Sequence, residues 1–138
     1  MSATDDSVRE RLRAVGLRVT RQRQELAHLL FSNGRRHITA EQLCGEARRC
    51  GIKVSLATVY NTLNQFTAAG LLREIVVDPP RCYFDTNTTD HHHFYHEAND
   101  RLLDIPAEQV VLKGLPAPPA GKKIRSIDVV IRIADQDA

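Results

Sequence analysis

Residues 55–70, SLATVYNTLNQFTAAG, decide the fold of this 138-residue chain. Ser55 is an N-cap residue type, Leu56, Val59, Leu63 and Phe66 recur at helical spacing, and Gly70 is a stop signal. At about 100° per residue, Ala57, Tyr60, Asn61 and Asn64 fall a quarter-turn or more from that apolar stripe. A solvated helix face normally carries Lys and Glu, yet no charged residue stands between Ser55 and Ala69. The face offers amides and hydroxyls instead, the groups that pair with base edges.

Upstream, three further helices carry their own punctuation. "SVRERLRAVG" has Ser7 as N-cap, Val8, Leu12 and Val15 on one face, and Gly16 as stop. "TRQRQELAHLLFSNG" starts at Thr20, turns Leu26, Leu29 and Leu30 inward and ends at Asn33-Gly34. "TAEQLCGEARRCG" pairs Thr39 with Gln42 in capping-box spacing and closes at Gly51. Downstream the apolar period changes to two: "LLREIVV", the turn "DPPR" and "CYFDTN" read as a β-hairpin. Three helices, a recognition-type helix and a hairpin make a winged helix, with the fourth helix in the major groove. Arg18, Arg21, Arg23 and Arg73 would meet phosphates, and Thr20, Ser55, Ala57, Thr58, Tyr60, Asn61 and Asn64 complete the DNA-facing set. The plainer alternative is a helical domain with one polar helix face.

Composition narrows the classes. Apolar residues at 42% and charged ones at 26% describe a globular chain rather than a disordered one. No apolar run approaches the roughly 20 residues of a membrane span, and "MSATDDSVRER" is not signal-like, so a cytoplasmic protein without a membrane partner is expected. Residues 1–77 carry twelve Lys and Arg against seven Asp and Glu (+5), while residues 78–138 carry seven against ten (−3). An anionic partner therefore suits the first part only. Cys44, Cys50 and Cys82 are odd in number and lack C-x-x-C spacing, which indicates neither a disulfide framework nor a four-thiolate zinc.

The second half opens on "TNTTDHHHFYHEAND", residues 86–100, with four of the six histidines within six positions. Such a run can be a metal site, a haem site or a pH-sensitive surface patch. "HHHFYHEAN", "RLLDIP" and "IRSIDVVIRI" read as strands, "AEQVVLKG" as a short helix and "LPAPPAG" as a loop. In an extended segment, alternation puts His91, His93, Tyr95 and Glu97 on one face and His92, Phe94 and His96 on the other. About 55 residues with three strands bury little alone, so pairing with a second copy across a two-fold axis is expected. Enzymatic chemistry is poorly served: Glu97 is the only general-base candidate near the histidines, and no nucleophile constellation, phosphate loop or dinucleotide motif is present.

"GLRVTRQRQELAHLL", "HITAEQL", "VSLATVYNTLNQFTAAGLL" and the histidine block, in that order, resemble the ferric uptake regulator family over nearly the whole chain. The resemblance implies an α+β homodimeric transcriptional regulator, not an enzyme, with a winged-helix DNA-binding domain and hinge at 1–84 and an α/β dimerisation and sensing domain at 85–138. It also implies a divalent-metal site at His37, Asp85 and His93. Tyr95 stands where the family's fourth ligand would be a histidine, and His91 is the substitute on the same face. A second family site keeps His92 but has Phe94 in place of a carboxylate.

Within the family the chain looks most like the iron response regulator branch of alphaproteobacteria, on "SLATVYNTLNQ", "YFDTN" followed by "HHHFY", and the absent cysteine pairs. That likeness implies control of iron homeostasis through haem held by His91, His92 and His93, with a haem-delivering or haem-synthesis protein as a further partner. The branch's Cys-Pro haem motif is missing, since Cys44 and Cys50 precede glycine and Cys82 precedes tyrosine. The runner-up is repression activated by Mn²⁺, Fe²⁺ or Zn²⁺ at His37, Asp85, His91 and His93. Asn61 stands where relatives with arginine suit guanine, and an asparagine pairs bidentately with adenine, so an A/T-rich double-stranded operator is expected.

Overall fold

The computed structural model describes residues 3–32, 34–78, 81–89 and 91–136. They divide into two compact units, Met1–Thr88 and Thr89–Ala138. Four helices and two small sheets make an α+β fold in which the first unit is a winged helix.

The first unit holds α1 (Ala3–Ala14), α2 (Arg21–Phe31), β1 (His37–Ile38), α3 (Ala40–Arg49), α4 (Leu56–Ala68), β2 (Arg73–Asp78) and β3 (Arg81–Asp85). Ser7 is not the cap of α1, which starts four residues earlier. Capping side chains start the other three helices. Thr20 Oγ1 accepts from Arg23 N at 3.2 Å. Thr39 and Gln42 form a reciprocal capping box at 3.1 and 3.0 Å. Ser55 Oγ accepts from Thr58 N at 3.1 Å. Helix α2 ends at Phe31 with Ser32 as C-cap, while Asn33 lies outside the described residues. Gly70 follows α4 with φ +87, a left-handed conformation that a side chain would strain.

Leu12, Leu26, Leu30, Leu43, Val59, Leu63, Phe66 and Phe84 are buried in one continuous core. The small sheet has the order β1-β3-β2, with both pairs antiparallel. Strand β1, only two residues long, has no sequence signature. It places His37 opposite Asp85. The Pro79-Pro80 part of the expected turn lies outside the described residues.

The second unit holds β4 (His91–His96), β5 (Arg101–Pro106), a 3-10 turn (Ala107–Gln109) and β6 (Val130–Ile133). Strand β4 is central, antiparallel to β5 and parallel to β6. Two expectations are corrected. "AEQVVLKG" forms one 3-10 turn instead of a helix, because β-branched Val110 and Val111 and then Gly114 oppose its continuation. The last strand keeps four residues of the ten in "IRSIDVVIRI". Register puts Phe94 beside Leu103 on β5 and Ile131 on β6. Leu103 and Ile131 are 42% and 40% exposed, so this cross-strand apolar row faces outward. Among the described residues no helix is long and apolar enough to cross a membrane.

The core assignment has a direct test. Phe66→Ala should lower the unfolding free energy by about 3–5 kcal/mol, whereas Asn61→Ala, on the exposed side of the same helix, should stay within about 0.5 kcal/mol. Urea unfolding followed by circular dichroism separates the two. Similar losses for both would mean that α4 is not seated by its apolar stripe.

Candidate metal centre and nucleic-acid interface

The first unit sets one imidazole beside a carboxylate and the second sets two. In the first, the β1–β3 pairing brings His37 Nε2 to 3.2 Å from Asp85 Oδ2. Asp85 is 1% exposed, and its other oxygen accepts from Asn87 N at 2.8 Å. That short Asx turn holds the carboxylate plane.

In the second unit, His91 and His93 lie on one face of β4, both buried, with ring centroids 4.5 Å apart. Strand β5 sets Asp104 opposite His93. Its Oδ1 lies 3.5 Å from His91 Nε2 and 3.3 Å from His93 Nε2. Asp104 was not anticipated from the sequence. It reads there as an ordinary polar position of "RLLDIP", and only the pairing register delivers it to the histidines.

The tautomer of His91 follows from its partner. His91 Nδ1 lies 2.6 Å from Thr89 O, and a carbonyl can only accept, so Nδ1 carries the proton. In the neutral ring, Nε2 therefore turns a lone pair toward a carboxylate oxygen. Two lone pairs facing each other are brought together by a positive charge between them, whether a proton on Nε2 or a metal ion. Donation of the far ring N–H to a carbonyl is also how metal-binding histidines are held. Two donors each about 2.1 Å from one ion, separated by roughly 90–110°, lie about 3.0–3.4 Å apart, close to the spacings seen in each unit. Imidazole and carboxylate donors without thiolate fit Mn²⁺, Fe²⁺ or Zn²⁺.

The remaining residues of the block have other work. His92 Nδ1 accepts from Val129 N at 3.1 Å, tying β4 to the entry of β6. Tyr95 donates its hydroxyl to Asp100 Oδ1 at 3.0 Å. Arg132 stacks on the Tyr95 ring and pairs with Glu97. His96 Nε2 lies 3.0 Å from Asp135 Oδ1 on the face shared with His92. Cys44 is buried, Cys82 half-buried and Cys50 exposed. Burial, then a hydrogen bond with Glu74, pushes the Cys82 thiol up to about 11, so it stays protonated near neutrality.

On α4, Ala57, Asn61, Asn64 and Gln65 are exposed, Thr58 and Tyr60 half-buried, and Ser55 is committed to its cap. Arg21 is exposed and pairs with Glu25 at 2.8 Å. Arg23 is spent internally: its guanidinium donates to Arg18 O at 2.8 Å and to Gln65 Oε1 at 3.3 and 3.1 Å, bracing α2 against α4. Arg18 is exposed, Arg73 sits half-buried on β2, and the Thr20 hydroxyl is used as a cap. Tyr60 meets Glu41 of α3, a second contact with no sequence signature.

A sequence profile described as the ferric uptake regulator family matches residues 14–114. The peroxide-responsive repressor PerR of Staphylococcus aureus (strain Mu50 / ATCC 700699) is 31% identical over 99 residues, covering 72% of this chain and 66% of that protein. The ferric uptake regulation protein of Pseudomonas putida is 33% identical over 100 residues, covering 72% and 69%. The structure of the ferric uptake regulator from Pseudomonas aeruginosa with manganese superposes with a TM-score of 0.70 at 26% identity, over 94% of this chain and 98% of that one. The matches to the two sequence relatives thus span about two thirds of their length. With the winged helix and the paired histidine–carboxylate sets already in place, the chain belongs to the ferric uptake regulator family.

Proposed function

We propose that this chain is a dimeric DNA-binding transcriptional regulator controlled by a divalent cation, Mn²⁺, Fe²⁺ or Zn²⁺. The cation is held in the second unit by His91, His93 and Asp104, while His37 and Asp85 offer a separate histidine–carboxylate pair in the first. The observation that carries this is the Asp104 carboxylate set beside the Nε2 atoms of both His91 and His93, with the far nitrogen of His91 held by the Thr89 carbonyl. The named relatives are a peroxide-responsive repressor and iron regulators, and one was solved with manganese, which supports the same class. When bound, the cation supplies the positive charge that lets these donors gather; the chain's own residues bind and orient it. Dimerisation covers the Phe94, Leu103 and Ile131 row with a second copy and presents two α4 helices to successive half-sites.

A finer reading places the chain in the iron response regulator branch, with haem on His91, His92 and His93 as the signal and a haem-delivering or haem-synthesis protein as partner. The run of three imidazoles supports it. The bonding weighs against it: His92 already uses Nδ1 for Val129, and His91 and His93 face a carboxylate that suits a small hard cation better than haem iron. We rank the divalent cation first.

Three outcomes are expected. Asp104→Ala and His91→Ala should each weaken Mn²⁺ binding at least about tenfold by calorimetric titration; unchanged affinity in both would dismiss the cation site. A haem titration giving a Soret band that disappears when His91, His92 and His93 are all alanine would reverse the ranking. On DNA, Asn61→Ala should cost about 1–3 kcal/mol on a selected A/T-rich operator, while Arg21→Ala should weaken every duplex alike and lower the salt slope. Equal losses on operator and random duplex for Asn61→Ala would end the base-reading claim. Finally, Leu103→Glu with Ile131→Lys should yield a monomer in analytical ultracentrifugation, and a persistent dimer would place the interface elsewhere.

A further inference from the structure

Tyr60 is tethered. Its hydroxyl donates to Glu41 Oε1 at 2.8 Å, linking α4 to the first turn of α3. A carboxylate accepts and does not donate, so the phenol proton lies on that line. The hydrogen bond to Glu41, then burial, then the nearby charge of Glu41, hold the phenol's pKa up at about 12, so it keeps its proton near neutrality. Helix α3 is capped by Thr39 and Gln42, not by Glu41, which is exposed and dispensable for the capping box.

We infer that Glu41 is a specificity-determining positioning residue: by taking the Tyr60 proton it fixes the ring on the recognition face and leaves the phenol oxygen able only to accept. This rests on reading α4 as the recognition helix. An acceptor-only oxygen matches an exocyclic amino group, adenine N6 or cytosine N4, and it mismatches guanine O6 and thymine O4, which are acceptors themselves. Freed from Glu41, the hydroxyl can rotate and donate, and the discrimination between amino and carbonyl edges relaxes.

The test uses the full chain with Mn²⁺ and a duplex that the unmodified protein selects from a random library, with affinities read by fluorescence anisotropy. Glu41→Ala should weaken the selected duplex about three- to tenfold. It should leave random duplex unchanged or bound more tightly, because a negative charge near the phosphates is gone. Glu41→Gln, whose amide oxygen still accepts, should recover the selected duplex to within about twofold. In a Tyr60→Phe background, Glu41→Ala should cause no further loss. The same loss in that background, an equal loss on random duplex, or undiminished selectivity in Glu41→Ala would each overturn the assignment. If the unmodified protein selects no sequence, the recognition-helix reading itself falls and takes this inference with it.

Discussion

Val59, Leu63 and Phe66 are buried to zero exposure along one stripe of α4, and the polar surface of that helix depends on this seat. Each such side chain removed from water is worth about 1.5–3 kcal/mol. Rotation of the helix by one residue would replace Phe66 in the core with Gln65 or Thr67. The stripe therefore fixes which residues face outward, and Asn61 and Asn64 are exposed because Val59, Leu63 and Phe66 are not. The caps set where the helix starts. Arg23, bonded to Gln65, sets how α2 leans on it.

A second constraint, the period of two along β4, organises the other unit. Alternation sends His91, His93 and Tyr95 to one face and His92, Phe94 and His96 to the other. One strand thus feeds a histidine–carboxylate cluster with its odd positions and an apolar face with its even ones. A slip of one residue in the β4–β5 register would exchange the two faces and move Asp104 away from His93. The Val129 N–H bonded to His92 Nδ1 and the Phe94, Leu103 and Ile131 row work against such a slip.

What was legible in the sequence is what is local. Capping at Thr20, Thr39 and Ser55, the apolar stripe of α4, the wing strands and the alternation in β4 all follow from a few neighbouring residues. Ser7 misled because a residue type that favours caps can also sit inside a helix. "AEQVVLKG" misled because its opening favours a helix and its β-branched middle does not. The contacts that matter most to the sites were hidden because they join distant residues. His37 meets Asp85 through a two-residue strand, Asp104 reaches His93 through register, and Glu41 meets Tyr60 through the packing of two helices. Sequence spacing carries no trace of such pairs.

A cation bound by these residues acts on the fold by linkage. Carboxylates drawn among imidazoles, one of the carboxylates 1% exposed, favour whatever supplies positive charge. A cation present at 100 times its dissociation constant stabilises the arrangement that holds it by about 2.7 kcal/mol. Transmission to DNA needs less. A tenfold change in operator affinity corresponds to about 1.4 kcal/mol, provided that the cation binds the DNA-competent arrangement more tightly by that amount. In the first unit His37 sits next to Arg36, whose guanidinium pairs with Glu46 of α3 at 2.5 Å and donates to Leu29 O of α2 at 3.1 Å. The backbone of Arg36 exchanges hydrogen bonds with Thr86, the neighbour of Asp85, at 2.9 and 3.1 Å. The neighbours of His37 and Asp85 are therefore bonded to α2 and α3, and α2 is in turn bonded to α4 through Arg23 and Gln65.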